Sequence, residues 1–286
     1  MKDARYQVFS GSIAGMANQS VCHPFDTIRT RLQMKPELKG PIDCFIKIAR
    51  FEGIFGFYKG FTAPFVAQAV YKSVIFSVNA FAKDVCEVNK IKPSPLATFA
   101  CGAVSGTVNS FIVTPVELVR NQLMMQINDS KKKYNGPRHF ILLLYKSSDS
   151  TLDFVRRMYR GLPATIIRDS GGVGFWFLGF SLGISKAMSV SGSATEASIP
   201  MYLLMISGSL GGLLFWCFAL PFDCIKTRMQ CLNVPQHSQP KFLQIVRSMK
   251  PRDFIKGWQV ALGRGIPGAA TTLTVHHLVF ERLVHS

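Results

Sequence analysis

Three stretches of the sequence set a proline, an acid two residues on and a base three beyond that: Pro24, Asp26 and Arg29; Pro115, Glu117 and Arg120; Pro221, Asp223 and Lys226. Residues three apart lie on one side of a helix, so each stretch offers a carboxylate and a cation together. The chemistry open to such a set is reversible ion pairing. Three helices around one axis could link acid to base in a ring that forms and breaks. A second set stands seven residues beyond Gly60, Gly161 and Gly257, where Ala67, Arg168 and Arg264 occur, followed by Gln68, Asp169 and Gly265. Four and five further on are Tyr71 and Lys72, Gly172 and Val173, Gly268 and Ala269. Charges within otherwise apolar helices are costly and mark the path of a charged solute. At about 1.5 Å per residue, seven residues lie roughly 10 Å in from the helix start. Neighbouring helical residues point about a hundred degrees apart. A buried structural ion pair between Arg168 and Asp169 stays open as the alternative, weakened by that angle, and both are read first as facing a solute.

Internal repetition positions these residues. Gly15, Gly106 and Gly212 stand nine residues before the three prolines, and Gly11, Gly102 and Gly208 four before those, a period of 91 and then 106 residues. Each copy continues to a second landmark, Tyr58-Lys59-Gly60, Tyr159-Arg160-Gly161 and Ile255-Lys256-Gly257. The distance from proline to this glycine is 36, 46 and 36 residues, so the second copy carries a ten-residue insertion, placed around 128–134 and 147–151. Three repeats are expected, at 1–92, 93–192 and 193–286. Each reads as a long helix, a loop with one short amphipathic helix, and a second long helix. The first long helices fall near 6–34, 96–126 and 199–231, and the second near 61–85, 162–188 and 258–284. Residues 96–113 and 202–220 are apolar over a length that can span a bilayer. Residues 42–51, 139–145 and 242–249 place apolar side chains at helical spacing, as surface-lying helices do. The fold class expected is an all-α membrane protein of six transmembrane helices in three tandem, pseudo-symmetric repeats, with both termini on one side.

Composition agrees. Charged residues are only 17% of the chain and hydrophobic ones 48%, with 23 glycines and 23 phenylalanines, a balance that suits helices packed in lipid. The net charge of +17 fits anionic lipid and anionic solutes. Nucleic acid is not expected as a partner, because the basic residues recur beside apolar stretches and form no nucleic-acid-binding motif. The seven cysteines include no Cys-x-x-Cys pair and read as reduced thiols in apolar surroundings, not a disulfide framework. Cys217, Cys224 and Cys231 repeat every seven residues, which helix packing explains. The six histidines show no ligand spacing, and His276-His277 reads as a surface pair. No metal, cofactor, nucleophile–base set, phosphate loop or dinucleotide fingerprint is expected, so the chain reads as no enzyme. No secretory signal follows the charged first five residues; targeting, if to an organelle, would be internal.

The thrice-repeated Pro-x-acid-x-x-base, each followed by an aromatic or apolar residue, a base and glycine, resembles the mitochondrial carrier family over nearly the whole chain. The resemblance implies a multi-pass protein of the mitochondrial inner membrane that moves a small-molecule substrate by alternating access as a functional monomer. It implies a matrix gate in which Asp26 pairs with Arg120, Glu117 with Lys226 and Asp223 with Arg29. A glutamine nine residues after each proline would brace it; Gln33 and Gln230 fit and Met124 does not. It implies cardiolipin at the helix starts after Gly60, Gly161 and Gly257, completed by Gly40 and Gly136, with His237 replacing glycine in the third repeat. Departures are largest at the outer gate, where Ala80 and Lys83, Ser181 and Ile184, His277 and Phe280 stand and only Lys83 conforms.

Arg168-Asp169, the run Cys22-His-Pro-Phe-Asp-Thr and Ser73-Val74 are similar to the acylcarnitine and basic amino-acid branch. Arg168, Asp169, Arg264, Tyr71, Lys72 and Gln68 would then contact substrate. Where the ornithine-like carriers have an acid, Tyr71 stands beside Lys72, which suits a carnitine-like or neutral zwitterion better than a cationic amine. A dicarboxylate or nucleotide, or a carrier fold that leaks protons with little exchange, stays open as an alternative.

Overall fold

The computed structural model describes the chain apart from residues 1, 35–36, 93, 127–133, 193–198, 232–241, 266, 269–270, 273, 276–278 and 280–286. Ten α-helices stand among the described residues, and no strand does. They are α1 (Lys2–Met34), α2 (Pro41–Phe51), α3 (Thr62–Val88), α4 (Pro95–Met124), α5 (Pro137–Lys146), α6 (Thr151–Met158), α7 (Leu162–Ser191), α8 (Met201–Cys231), α9 (Phe242–Ser248) and α10 (Trp258–Gly263). Beyond α10, helical residues recur at 265, 267–268, 271–272, 274–275 and 279. Residues 128–133 of the expected insertion lie outside the described residues, as do His237, Ala269, His276, His277 and Phe280.

Four helices, α3, α4, α7 and α8, are long and apolar enough to cross a membrane. α1 is longer still, at 33 residues, but carries Asp26, Arg29 and Arg31 within it. The three signature prolines lie inside α1, α4 and α8. Each removes one backbone hydrogen bond from its helix, which membrane helices tolerate where neighbours satisfy the freed groups.

One helix end and one additional helix differ from the sequence reading for identifiable reasons. α7 runs to Ser191 because Gly192, at a φ of 67°, supplies the left-handed stop. The second helix of the middle loop, α6, falls where only an insertion is expected. Ser150 caps it, accepting from the Asp153 amide at 3.2 Å, and Asp153 pairs with Arg157 one turn on at 2.8 Å. The Ser150–Asp153 spacing is a capping signal legible in the sequence.

The chain forms two compact units. The first comprises Met1–Lys72, Val113–Leu162 and Cys224–Ser286, and so gathers the signatures of the first two repeats, Lys226 of the third, and the loop that follows each signature. Its core packs Ile28 and Leu32 of α1 on Cys44 and Ile48 of α2, with Phe57 and Val260. Cys44 and Ile48 are one turn apart on the inner face of α2, while Ile42, Phe45 and Phe51 stay exposed. Apolar outer faces on short helices suit a membrane interface. Thr27 Oγ1 donates to the Phe57 carbonyl at 2.7 Å and pins the connecting turn to α1.

The landmark glycines tie this unit together. Gly60, Gly161 and Gly257 have φ of 77°, 85° and 84°, the left-handed region that a side chain resists. A Cβ at Gly60 would lie 2.9 Å from the Arg120 carbonyl, at Gly161 3.2 Å from Gln230 Cγ, and at Gly257 3.0 Å from Arg29 Cγ. Each repeat therefore seats its landmark against the signature helix of the next, and the third returns to the first.

The second unit comprises Ser73–Ile112 and Pro163–Asp223. Here the glycines of α7 meet bulky neighbours. A Cβ at Gly106 of α4 would overlap the Asp169 backbone, and one at Gly172 would lie 2.7 Å from the Phe215 ring. In lipid, small residues of this kind let helices approach closely. Gly172 and Val173 are accordingly buried packing positions. Trp176 stacks on Phe180 at 5.4 Å and meets Phe76 edge-on at 6.5 Å. Ile184, an expected outer-gate position, is buried with Ala187 and Ile199. Lys83 is exposed.

Candidate functional site

In the first unit the signature charges meet. Arg120 Nη2 lies 2.7 Å from Asp26 Oδ2, and Lys226 Nζ donates to Glu117 Oε2 at 2.5 Å. Asp26 and Lys226 are nearly inaccessible, with side chains 4% and 2% exposed, so these pairs are desolvated, and losing one partner would strand a charge. Arg29 is also buried. Asp223 and Arg29 belong to different units, and their pairing stays a proposal.

Arg264 lies in the same cluster. Its Nη1 donates to Asp26 Oδ1 at 2.5 Å, so one carboxylate faces two guanidinium groups. α10 ends at Gly263, and the Arg264 side chain leaves its last turn toward Asp26 of α1. In the second unit Arg168 behaves alike: its Nη1 donates to Asp223 Oδ1 at 3.1 Å. The Arg168 Nε also donates to Asp169 Oδ1 at 2.7 Å. This contact corrects the reading from helical geometry, because the flexible guanidinium stem bends around the turn and reaches the adjacent carboxylate. Both side chains are less than a tenth exposed. The two arginines seven residues past their landmarks therefore each hold the acid of another repeat's signature. In the first repeat that position is Ala67, which has no charge to offer.

The remaining expected contacts lie on α3. Gln68 packs beside Gly15, where a Cβ would be 3.4 Å from its Cγ. Tyr71 is half-buried and Lys72 exposed.

Both expected glutamine braces are buried. Gln230 accepts from Asn121 Nδ2 at 2.7 Å, and its Nε2 donates to the Arg160 carbonyl at 3.3 Å, which joins α8 to α4 and to the second landmark. At Met124, where the glutamine is missing, the backbone carbonyl accepts from Arg31 Nε at 3.2 Å.

Arg31 belongs to a cluster that the sequence reading missed. Its guanidinium grips Glu52 through Nη1 and Nη2, at 2.5 and 2.9 Å, and Lys59 of the first landmark donates to Glu52 Oε2 at 2.5 Å. Burial pushes the Glu52 carboxyl up, but the hydrogen bonds and charges of Arg31 and Lys59 outweigh it and hold it below the usual carboxylate range. The third repeat has a looser equivalent, Arg228 with Asp253 at 2.9 Å. Only half of the signal repeats in the sequence: Arg31 and Arg228 each stand seven residues after a signature proline, but Glu52 lies eight residues before Gly60 and Asp253 four before Gly257.

Gly60 and Gly136 line one cavity of about 300 Å³ with Tyr58, Lys59, Thr62 and Asn135. The starts of α3 and α5 both face it, which gives backbone N–H groups suited to an anion. Pro41 of α2, next to Gly40, and Gln259 of α10 instead flank an almost wholly apolar cavity of about 300 Å³ with Phe25 and Phe45. Among the described residues no group of three His, Cys, Asp or Glu is placed to hold a metal ion.

A family model described as Mitochondrial carrier protein matches residues 2–90, 92–186 and 197–286. The chain is 29% identical over 278 residues to mitochondrial magnesium exporter 1 of Drosophila melanogaster, covering 91% of this chain and 89% of that protein. It is 28% identical over 283 residues to the mitochondrial basic amino acids transporter of Rattus norvegicus, covering 93% and 86%. It is 29% identical over 289 residues to the mitochondrial glycine transporter YMC1 of Saccharomyces cerevisiae, covering 96% and 91%.

Proposed function

Since the chain belongs to the mitochondrial carrier family and is a multi-pass protein of the mitochondrial inner membrane, we propose that it exchanges a small zwitterion bearing one carboxylate. Carnitine, acylcarnitines and neutral amino acids are of this class. Members of the family are transporters, not enzymes, and the repeats here are assigned to 1–92, 93–192 and 193–286.

One observation carries the reading: Arg168 and Arg264 each hold a carboxylate already, that of Asp223 and of Asp26. A guanidinium so placed is preorganised for the planar, two-oxygen group of a substrate. A substrate carboxylate at either arginine competes with the signature acid and loosens its hold. Binding and gating are then one event, the gate being built from Asp26, Arg29, Glu117, Arg120, Asp223 and Lys226 and braced by Gln33 and Gln230. Asp169 takes the cationic end of the substrate, and Tyr71, Lys72 and Gln68 set its selectivity. Glycine, the substrate in the yeast relative's name, is a zwitterion of this class. Gly60 and Gly136, and by repetition Gly161, Gly257 and Gly40, seat cardiolipin phosphates around a monomer.

Exchange assays in liposomes test the reading, with labelled carnitine and neutral amino acids set against lysine and ornithine. Faster exchange of the first group is expected. Lysine or ornithine exchange with none of the zwitterions would overturn it. The presence of two equivalent arginines supports a dicarboxylate as the second reading, which malonate in the same assay would reveal.

A further inference from the structure

We propose that Cys86 and Cys101 are a dithiol that closes to a reversible disulfide and clamps α3 to α4. Their sulfurs are 3.7 Å apart. Cys86 lies in the last turn of α3 and Cys101 in the second turn of α4, both within the second unit. The hairpin that brings them together is pinned at both ends. The Ile91 amide donates back to the Cys86 carbonyl at 2.9 Å, Asn89 Nδ2 caps the Val85 carbonyl at 2.7 Å, and Ser94 Oγ accepts from the Ala97 amide at 3.1 Å. A disulfide needs sulfurs about 2.05 Å apart, and these two already stand in van der Waals contact.

The two sulfurs differ in access, which sets the order of steps. Cys86 is half-buried, whereas Cys101 is 4% exposed. A low-molecular-weight disulfide such as glutathione disulfide therefore meets Cys86 first. The Cys86 thiolate attacks one external sulfur and releases one small thiol, leaving a mixed disulfide. The Cys101 thiolate then attacks the Cys86 sulfur and releases the second small thiol. The protein loses two electrons and two protons, and the two released thiols carry them. The pair sits at the end of α3 and α4 remote from the signature, since Cys86 follows Gly60 by 26 residues and Cys101 precedes Pro115 by 14. A covalent tie there resists any motion that parts the two helices. Slower exchange on oxidation follows if the chain transports as proposed above; the bond itself does not depend on that reading.

The test uses the full chain in liposomes, incubated with glutathione disulfide, alkylated and digested for mass spectrometry. A peptide joining Cys86 to Cys101 is expected, lost on treatment with dithiothreitol. Cys86→Ser should leave Cys101 a thiol, and Cys101→Ser should trap glutathione on Cys86. Carnitine and neutral amino-acid exchange should fall severalfold on oxidation and recover on reduction, and Cys101→Ser should abolish that loss. Alkylation of both cysteines, with glutathione only on the exposed Cys217, would overturn the proposal. So would a cross-link that leaves exchange unchanged. If the reduced chain exchanges none of these solutes, the proposed function fails while the cross-link still decides for or against the bond.

Discussion

Arg264 donates to Asp26 across 238 positions of sequence, and the other oxygen of the same carboxylate faces Arg120. A residue assigned to substrate and a residue assigned to the gate thus share one acid. Removing Asp26 strands two buried or partly buried cations, and breaking such a pair from one side costs about 3–5 kcal/mol. Asp26→Asn is expected to lower thermal stability more than Arg264→Gln does, because Arg264→Gln leaves Asp26 with Arg120. The double variant should lose less than the two singles added together. Strict additivity in a thermal-shift assay would show that the two residues do not act as a pair.

Glu117 and Lys226, paired at 2.5 Å, offer an exchange of partners. Either reversal alone, Glu117→Lys or Lys226→Glu, sets two like charges together. The double reversal should recover a substantial share of liposome exchange. Equal loss in the singles and the double would argue that their contact has no part in transport.

Much of this was legible from repetition. The three prolines, acids and bases located three helix turns, and the landmark glycines located where each second long helix begins. Which acids Arg168 and Arg264 would meet was not legible, because Arg264 and Asp26 are far apart in sequence and only the closing of repeat three on repeat one brings them together. The Arg168–Asp169 contact was misjudged because helical angle describes where a Cβ points, while an arginine stem can bend around the turn. Glu52 was not legible because its partners, Arg31 and Lys59, lie 21 residues before it and 7 after it in sequence, and no repeated spacing links the three.

Glu52 gives a pH expectation outside the spans. Its carboxyl is held below the usual carboxylate range by Arg31 and Lys59 against the effect of burial. A depressed carboxyl contributes stability that is present above its unfolded value, about 4.3, and is lost as pH falls through the folded one. The difference in melting temperature between the unmodified chain and Glu52→Gln should therefore hold steady from pH 7 to about 5.5. It should shrink only below roughly 4.3. A difference that vanishes by pH 6 would mean that the clasp does not depend on the Glu52 charge.

Under the proposed function, substrate class turns on Tyr71 and its neighbour. Tyr71 is half-buried on α3, Lys72 follows it, and Arg264 belongs to the same unit. A cationic side-chain amine at roughly 5–8 Å from either base, in an effective dielectric near 20, meets about 2–3 kcal/mol of repulsion from each. Screening reduces this but keeps its sign. A zwitterion with a single carboxylate instead gains at an arginine and brings only one positive group, for which the tyrosine ring offers a cation–π face. Tyr71→Glu places a carboxylate beside Lys72, offsets one of the two cations and gives an amine a direct partner. That variant is expected to raise lysine and ornithine exchange relative to carnitine and neutral amino acids. Tyr71→Gln, similar in size and reach to glutamate but uncharged, should leave the preference where it was. If both variants shift it equally, shape and not charge at this position selects the substrate; if neither does, Tyr71 does not face it.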